Sequence, residues 1–146
     1  MERNSTSTIV IYISLLALFL FLIHLADDIR RQEIVPQFGT FAKGLMYYGL
    51  IFIVWTIALV LIYRNKLKTG MFITLFMSVF VGVPTLMVHV LGSGSYSFTK
   101  ISQSSGFIFA FIALLLALAS LGVFVLSIIC LVNLRRKKPK NTIIQQ

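Results

Sequence analysis

Two histidines and one short charged run are the residues of this chain best suited to bind a metal ion, a proton or a small ligand. The run HLADDIRRQEI, residues 24–34, follows directly on the uncharged stretch TIVIYISLLALFLFLI, and the second histidine is His89. His24 and Asp28 stand four residues apart, so their side chains are neighbours if this part of the chain is helical. Ionisable groups beside an apolar segment are costly and mark functional sites by default. We therefore treat this cluster as the first candidate site.

Two cofactors are compatible with the cluster. His24, Asp28 and His89 together would supply two imidazoles and a carboxylate, a donor set that leaves open positions on a metal ion. His24 and His89 alone could instead be the axial ligands of a b-type haem held between two helices. Both hypotheses require the two histidines to lie at the same depth.

Two further interpretations need no cofactor. His24 with Asp27 or Asp28 could bind a proton or a small cationic or polar ligand, because histidine titrates near neutral pH. The plainest interpretation is structural, with the charged residues forming a solvated, salt-bridged helix end and His24 lying in the interfacial zone. The spacing alone does not choose among these hypotheses.

Four uncharged apolar segments must position these residues. The 146-residue chain is 58% hydrophobic and 12% charged, whereas soluble domains are about half apolar and about a quarter charged. A membrane-spanning helix needs about 20 apolar residues, and four segments meet this need, at residues 8–26, 44–63, 70–91 and 106–132. The sequence predicts an all-α, polytopic integral membrane four-helix bundle, a single domain over residues 1–146 with a basic tail at 135–146.

The apolar segments fit neither barrel strands nor a signal peptide. Barrel strands alternate apolar and polar residues in short stretches, and these runs are apolar on every side. The first run is longer than the about 7–15 apolar residues of a signal peptide and lacks the small-residue cleavage pattern, so we expect a true span.

The distribution of lysine and arginine predicts the orientation. With four spans, the N-terminus, the second loop and the C-terminus share one side, which carries nine of the 13 cations. The opposite side carries Arg30, Arg31, Lys43 and Lys100. By the positive-inside rule, both termini lie in the cytoplasm. We expect the tail to contact anionic lipid headgroups, which explains the net charge of +9 without nucleic acid.

This orientation brings the polar residues together at the outer face. The first and third helices both end there and the second begins there, so His24 and His89 share a depth. Pro84 lies inside the third span and is expected to kink that helix just below His89. The predicted site comprises His24, Asp27, Asp28 and His89, with Tyr47, Tyr48 and Arg30 as surrounding groups.

Small residues recur at helical spacing in the third and fourth spans. Such seams face neighbouring helices, because small side chains let backbones approach. They would serve either the folding of one chain or the association of several.

The single cysteine, Cys130, excludes an intramolecular disulfide. The segment GSGSYSF, residues 92–98, is expected to form a flexible turn, and no hydrolase elbow or nucleotide-binding motif accompanies it.

The motif HLADDIRR after a first span, with a histidine late in a third span, is similar to uncharacterised small four-helix membrane proteins of bacteria. Some of these resemble the broad DoxX-like group. The resemblance implies a location in the bacterial cytoplasmic (inner) membrane, and it implies no defined activity and no catalytic residue.

The residue types around the His24 cluster favour binding over catalysis as the expected function. No nucleophile and base pair is evident, so an enzyme would need a metal or cofactor at this site. We expect a small accessory or ligand-binding membrane subunit rather than a self-sufficient enzyme, partnered by lipid and by a membrane protein or further copies of itself. The alternatives are a metal- or haem-binding membrane redox protein and a proton-linked small-molecule transporter that acts as an oligomer.

Overall fold

The computed structural model describes residues 5–91 and 97–136. These residues form helices and contain no strand. The elements are α1 (Ser5–Arg30), α2 (Ile34–Phe38), α3 (Phe41–Tyr63), α4 (Leu67–Thr85) with a π-helical turn (Leu86–Val90), α5 (Phe98–Ser105) and α6 (Phe107–Arg136). Within these described residues, four helices are long and apolar enough to cross a membrane, and they overlap the four expected spans. The all-α prediction is confirmed.

The helix ends are set by local chemistry. α1 closes with Gln32 in the left-handed region, at φ 59°, while the Glu33 amide donates to the Asp28 carbonyl at 2.9 Å. This hydrogen-bond pattern is that of a Schellman motif, which stops a helix and reverses the chain. α3 begins at Phe41 and is capped by Thr40, whose hydroxyl accepts from the Lys43 amide at 3.2 Å. The charged run of the sequence therefore finishes α1 and turns directly into α2.

The four long helices meet at one end, which we call the histidine end. There the last two turns of α1 and the π-helical turn after α4 meet the N-terminal part of α3, through His24, His89 and Tyr48. α6 begins at the same end, where the Arg30 guanidinium lies 5.7 Å from the centre of the Phe109 ring. The loop between α3 and α4 and the last turn of α6 therefore lie at the opposite end.

The small-residue seams pack the helices of this one chain against each other. A Cβ atom added at Gly82 in α4 would lie 2.8 Å from the Cβ of Ser120 in α6. A Cβ at Gly70 would lie 2.8 Å from the Ala58 carbonyl oxygen of α3. The backbone of α4 can approach α6 and α3 this closely only because Gly82 and Gly70 lack a side chain. The α6 seam is buried against its neighbours along its length, at Ala110, Ala113, Ala117, Ser120 and Ser127.

Pro84 is followed by a change of helix type. α4 continues through Thr85 and then widens into the π-helical turn, in which the Leu91 amide donates to the Leu86 carbonyl at 3.0 Å. Proline supplies no amide hydrogen to the preceding turn, and π turns are often found at functional sites. The expected distortion below His89 thus takes the form of a widened turn that contains His89 itself.

Two short helices were not expected. α2 and α5 cover parts of the chain that the hydropathy pattern assigns to loops, and each buries one apolar residue, Ile34 and Ile101 respectively. Part of α5 replaces the end of the predicted flexible turn. Ser93 and Ser95 of that turn lie outside the described residues, as do Arg3 and residues 137–146 of the basic tail.

Candidate functional site

The two histidines contact each other at the histidine end. His24 Nε2 lies 3.1 Å from His89 Nε2, and the rings meet edge to face at 82° with their centres 4.7 Å apart. Both residues are buried, with exposures of 6% and 7%. Because a hydrogen bond joins two nitrogens, one Nε2 must carry a proton and the other must accept it. The two histidines, far apart in sequence, thus share a single proton in their contact.

A buried network of carboxylates and arginines lies beside this pair. Asp27 accepts from Arg30 at 3.1 Å and from Arg31 at 2.9 Å. Asp28 accepts from Arg31 at 3.0 Å through Oδ1 and from the Tyr48 hydroxyl at 2.8 Å through Oδ2. A further bond of 3.4 Å joins Arg31 to Glu33. Buried carboxylates are stable only with partners of this kind.

This geometry corrects the interpretation that the charged residues form a solvated helix end. Asp27 and Asp28 are 2% and 1% exposed, and the Arg31 side chain is 7% exposed. The expected salt bridges are present, but water does not reach most of them. At this buried helix end, α3 supplies Tyr48 as a hydrogen-bond donor to Asp28.

The network is joined to the histidine pair through Asp28. Its Oδ2 lies 3.8 Å from His24 Nε2 and accepts from Tyr48. One carboxylate therefore holds a side chain of α3 by a hydrogen bond and lies next to His24 of α1, which in turn contacts the π-helical turn after α4. Side chains held by several hydrogen bonds present a fixed geometry to a ligand.

A cleft of about 440 Å³ opens beside the histidine pair. Its size is within the usual range of small-molecule sites, which are mostly apolar with a few polar groups. Aromatic rings form most of its wall, and Phe21, Phe38 and Tyr47 lie within 6 Å of the Tyr48 ring. The described lining residues are Phe21, His24, Gln37, Phe38, Tyr47, Tyr48, Ile51, Phe80, Val81, Pro84, Thr85, Val88 and His89.

The predicted site residues are brought together, with differences in role. His24, His89, Tyr47 and Tyr48 line the cleft, and Asp28 lies behind its wall, in contact with His24 and Tyr48. Asp27 lies instead beside Arg30 and Phe109 in a different pocket. Arg30 is paired with Asp27, and its side chain is 55% exposed.

Sequence reasoning missed the central role of Arg31 and the part of the cleft that α2 contributes. Arg31 stands three and four residues after the two aspartates, a spacing that signals ion pairs on a helix. Phe38 and Gln37 gave no signal, because the short helix that carries them is not periodic enough to recognise.

The structure does not arrange His24, Asp28 and His89 as a metal site. Among the described residues, no group of three or more histidine, cysteine, aspartate or glutamate side chains is placed to hold a metal ion. The reason lies in Asp28, whose oxygens accept from Arg31 and Tyr48 while the nearest imidazole nitrogen stays 3.8 Å away.

The histidine pair also does not fit a haem. Axial nitrogens on a common iron are about 4 Å apart, since each metal–imidazole bond is about 2 Å long. His24 and His89 bring their Nε2 atoms to 3.1 Å, which is the distance of a direct hydrogen bond. A haem would have to separate the helices that carry these residues.

A comparison with protein-family models finds no match, and comparisons with curated proteins and with solved structures find none either. The DoxX-like resemblance therefore stays a prediction. The function has to be argued from the site itself.

Proposed function

We propose that this chain is a ligand-binding accessory protein of the bacterial cytoplasmic membrane, with both termini in the cytoplasm and its cleft at the extracytoplasmic face. The four long apolar helices support the membrane location. The cation asymmetry supports the orientation, because Arg64, Lys66, Arg135 and Arg136 all lie at the end opposite the histidines.

One observation carries the ligand-binding function. Two buried histidines meet at the wall of an aromatic cleft, and a hydrogen-bonded carboxylate lies 3.8 Å from one of them. Packing does not require this arrangement, because the rest of the bundle is held together by small and apolar residues. An apolar pocket with a few convergent polar groups is the usual form of a small-molecule site.

The cleft opens between α3 and α4 towards the side of the bundle. Its lining residues Phe80, Val88 and Tyr47 are 47%, 42% and 38% exposed. In a bilayer this side faces lipid, so a ligand that partitions into the membrane can enter laterally. We expect an amphipathic small molecule whose polar group meets the histidine pair.

The orientation is tested with two single-cysteine variants. Lys100→Cys and Lys66→Cys, each in a Cys130→Ser background, place a thiol at exposed positions at opposite ends of the bundle. A membrane-impermeant maleimide added to intact cells should label the first variant and label the second only after lysis. The reverse pattern would invert the proposed topology.

Ligand binding is tested through the histidines themselves. The chain has only two, so protein labelled with ¹⁵N-histidine reports on the cleft alone. N,N-dimethylbenzamide, a neutral aromatic amide, should shift the ring signals saturably in detergent-solubilised protein. Val88→Trp should weaken this response because Val88 lines the cleft, whereas Met87→Trp should not, because Met87 is 58% exposed and lies outside the lining. Equal responses from both variants would contradict binding in the cleft.

Proton-linked transport by an oligomer is a second candidate, favoured by the chain of contacts from Asp28 through His24 to His89. His24 and His89 are within hydrogen-bond distance at 3.1 Å, and Asp28 lies next to His24 at 3.8 Å, so three titratable groups follow one another towards the cleft. Proteoliposomes with an entrapped pH dye should then relax an imposed pH step faster with the wild-type protein than with His89→Asn. Equal rates would leave binding as the function.

A further inference from the structure

The charges of the histidine end do not balance. Asp27, Asp28 and Glu33 supply three carboxylates, and Arg30 and Arg31 supply two guanidinium groups. With a neutral histidine pair, this network carries one excess negative charge. The two lysines at this end, Lys43 and Lys100, are exposed, where water and salt screen their charges.

The excess charge is directed towards the cleft. Asp28 turns Oδ1 to Arg31 at 3.0 Å, so this oxygen is compensated by a cation. Its Oδ2 faces the opposite way, to the Tyr48 hydroxyl at 2.8 Å and His24 Nε2 at 3.8 Å. Both of these neutral groups line the cleft. A cation in the cleft would therefore lie one side chain away from a carboxylate oxygen whose contacts are neutral.

The wall of the cleft suits a cation as well. Phe21, Phe38, Tyr47, Tyr48 and Phe80 line it, and no lysine or arginine is among its described lining residues. The face of an aromatic ring carries partial negative charge and attracts ammonium groups, most strongly where water is excluded. The same negative charge would repel an anion, and it would give a neutral molecule no electrostatic attraction.

We propose that the cleft selects organic cations, meaning an ammonium group carried on an apolar body that partitions into the bilayer. This inference rests on the proposed function, since it names the class of ligand that the same cleft takes. The ammonium group is expected to lie among the aromatic rings beside His24, with the apolar body towards α4 and the lipid side.

The test compares two molecules of the same shape. Benzyltrimethylammonium and neopentylbenzene differ only in a charged nitrogen or a neutral carbon at the branch point. Each is titrated into ¹⁵N-histidine-labelled protein, and the saturable change of the two ring signals gives the apparent affinity. We expect the cation to bind at least about tenfold more tightly, a preference of the size that cation–π and charge attraction give in a desolvated site. Equal affinities would overturn the inference.

The neutral amide separates this failure from a failure of the proposed function. If N,N-dimethylbenzamide shifts the histidine signals and benzyltrimethylammonium does not, the cleft binds ligands but does not select cations. If neither molecule produces a saturable shift, ligand binding in the cleft and its selectivity are both refuted.

Asp28→Asn tests the source of the selectivity. Removing the charge should lower the preference for the cation over neopentylbenzene by about tenfold, because the attraction is electrostatic, and should leave the affinity for neopentylbenzene unchanged. If Asp28→Asn does not fold, Glu33→Gln removes the same excess charge from a side chain that keeps 22% exposure. Tyr12→Phe, at an exposed position of α1, is the control. An unchanged preference in the folded acid variant would contradict the proposal.

Discussion

The histidine end and the seam between α4 and α6 both bury polar side chains, but they use them differently. At the histidine end, polar groups bond across helices, as Tyr48 of α3 does to Asp28 of α1 at 2.8 Å. On the small-residue face of α4, hydroxyls bond within their own helix, as Thr74 does to the Gly70 carbonyl at 2.8 Å. In the described part of the chain, the buried hydroxyls of Ser120 and Ser127 have no hydrogen-bond partner at all.

This difference separates two reasons for a polar residue in an apolar bundle. A hydroxyl that bonds its own helix, or bonds nothing, is there because serine and threonine are small enough for close packing. A carboxylate of α1 that accepts hydrogen bonds from the arginine just after that helix and from a tyrosine of α3 fixes the end of α1 against α3. Substitutions should therefore have large effects at the histidine end and small effects along the seam, unless they add volume.

The largest effect is expected from Arg31→Met. Arg31 pairs with Asp27, Asp28 and Glu33, so its loss leaves buried carboxylates without their common partner. Breaking a buried ion pair in this way costs about 3–5 kcal/mol, and this loss should appear in the free energy of unfolding measured by SDS titration in mixed micelles. Arg30→Met is the matched control: its side chain is 55% exposed, and an exposed pair contributes only about 0–1 kcal/mol. Similar losses for both variants would show that the network is not a buried unit.

A smaller loss is expected from Tyr48→Phe. The ring stays in the aromatic wall, but the bond to Asp28 Oδ2 is removed. Hydrogen bonds to charged groups contribute about 1.5–3 kcal/mol, and the same SDS titration should detect this loss. Tyr12→Phe should change nothing, because Tyr12 is 68% exposed. If Tyr48→Phe were as stable as the wild type, Asp28 would not depend on α3 for its position.

Gly82→Ala tests the seam by adding volume. The new methyl group would lie 2.8 Å from the Ser120 Cβ, so α4 and α6 must move apart, at a cost of about 1–3 kcal/mol. Gly49 offers a matched control, because a Cβ there meets nothing within 4 Å. Gly49→Ala should be neutral or stabilising by up to about 1 kcal/mol, since alanine favours a helix over glycine. A neutral Gly82→Ala would mean that this seam is looser than its geometry indicates.

The sequence predicts the seam better than the histidine end. Apolar length locates the four helices, and the spacing of Gly70, Gly82 and Ser120 identifies the faces that pack, because both signals are periodic and local. The contact between His24 and His89 follows from their matched depth in the bundle. What the sequence does not reveal is the burial of Asp27 and Asp28, or that the Tyr48 hydroxyl points inward and donates to Asp28. Both features depend on tertiary contacts, which leave no periodic pattern in the sequence.

Ser120→Ala should have the smallest effect of all. The side chain is fully buried, yet its hydroxyl has no hydrogen-bond partner within the described residues. Alanine keeps the Cβ that packs against Gly82 and removes only the unpaired oxygen, so the free energy of unfolding should change by less than about 0.5 kcal/mol. Thr74→Val is the comparison, because it removes a hydroxyl that bonds the Gly70 carbonyl within α4, and it too should have little effect, since that carbonyl also belongs to the helix ladder. A loss above about 1 kcal/mol for Ser120→Ala would instead reveal a hydrogen bond that the hydroxyl makes across the seam. The seam would then resemble the histidine end, and its serines would need a reason beyond their size.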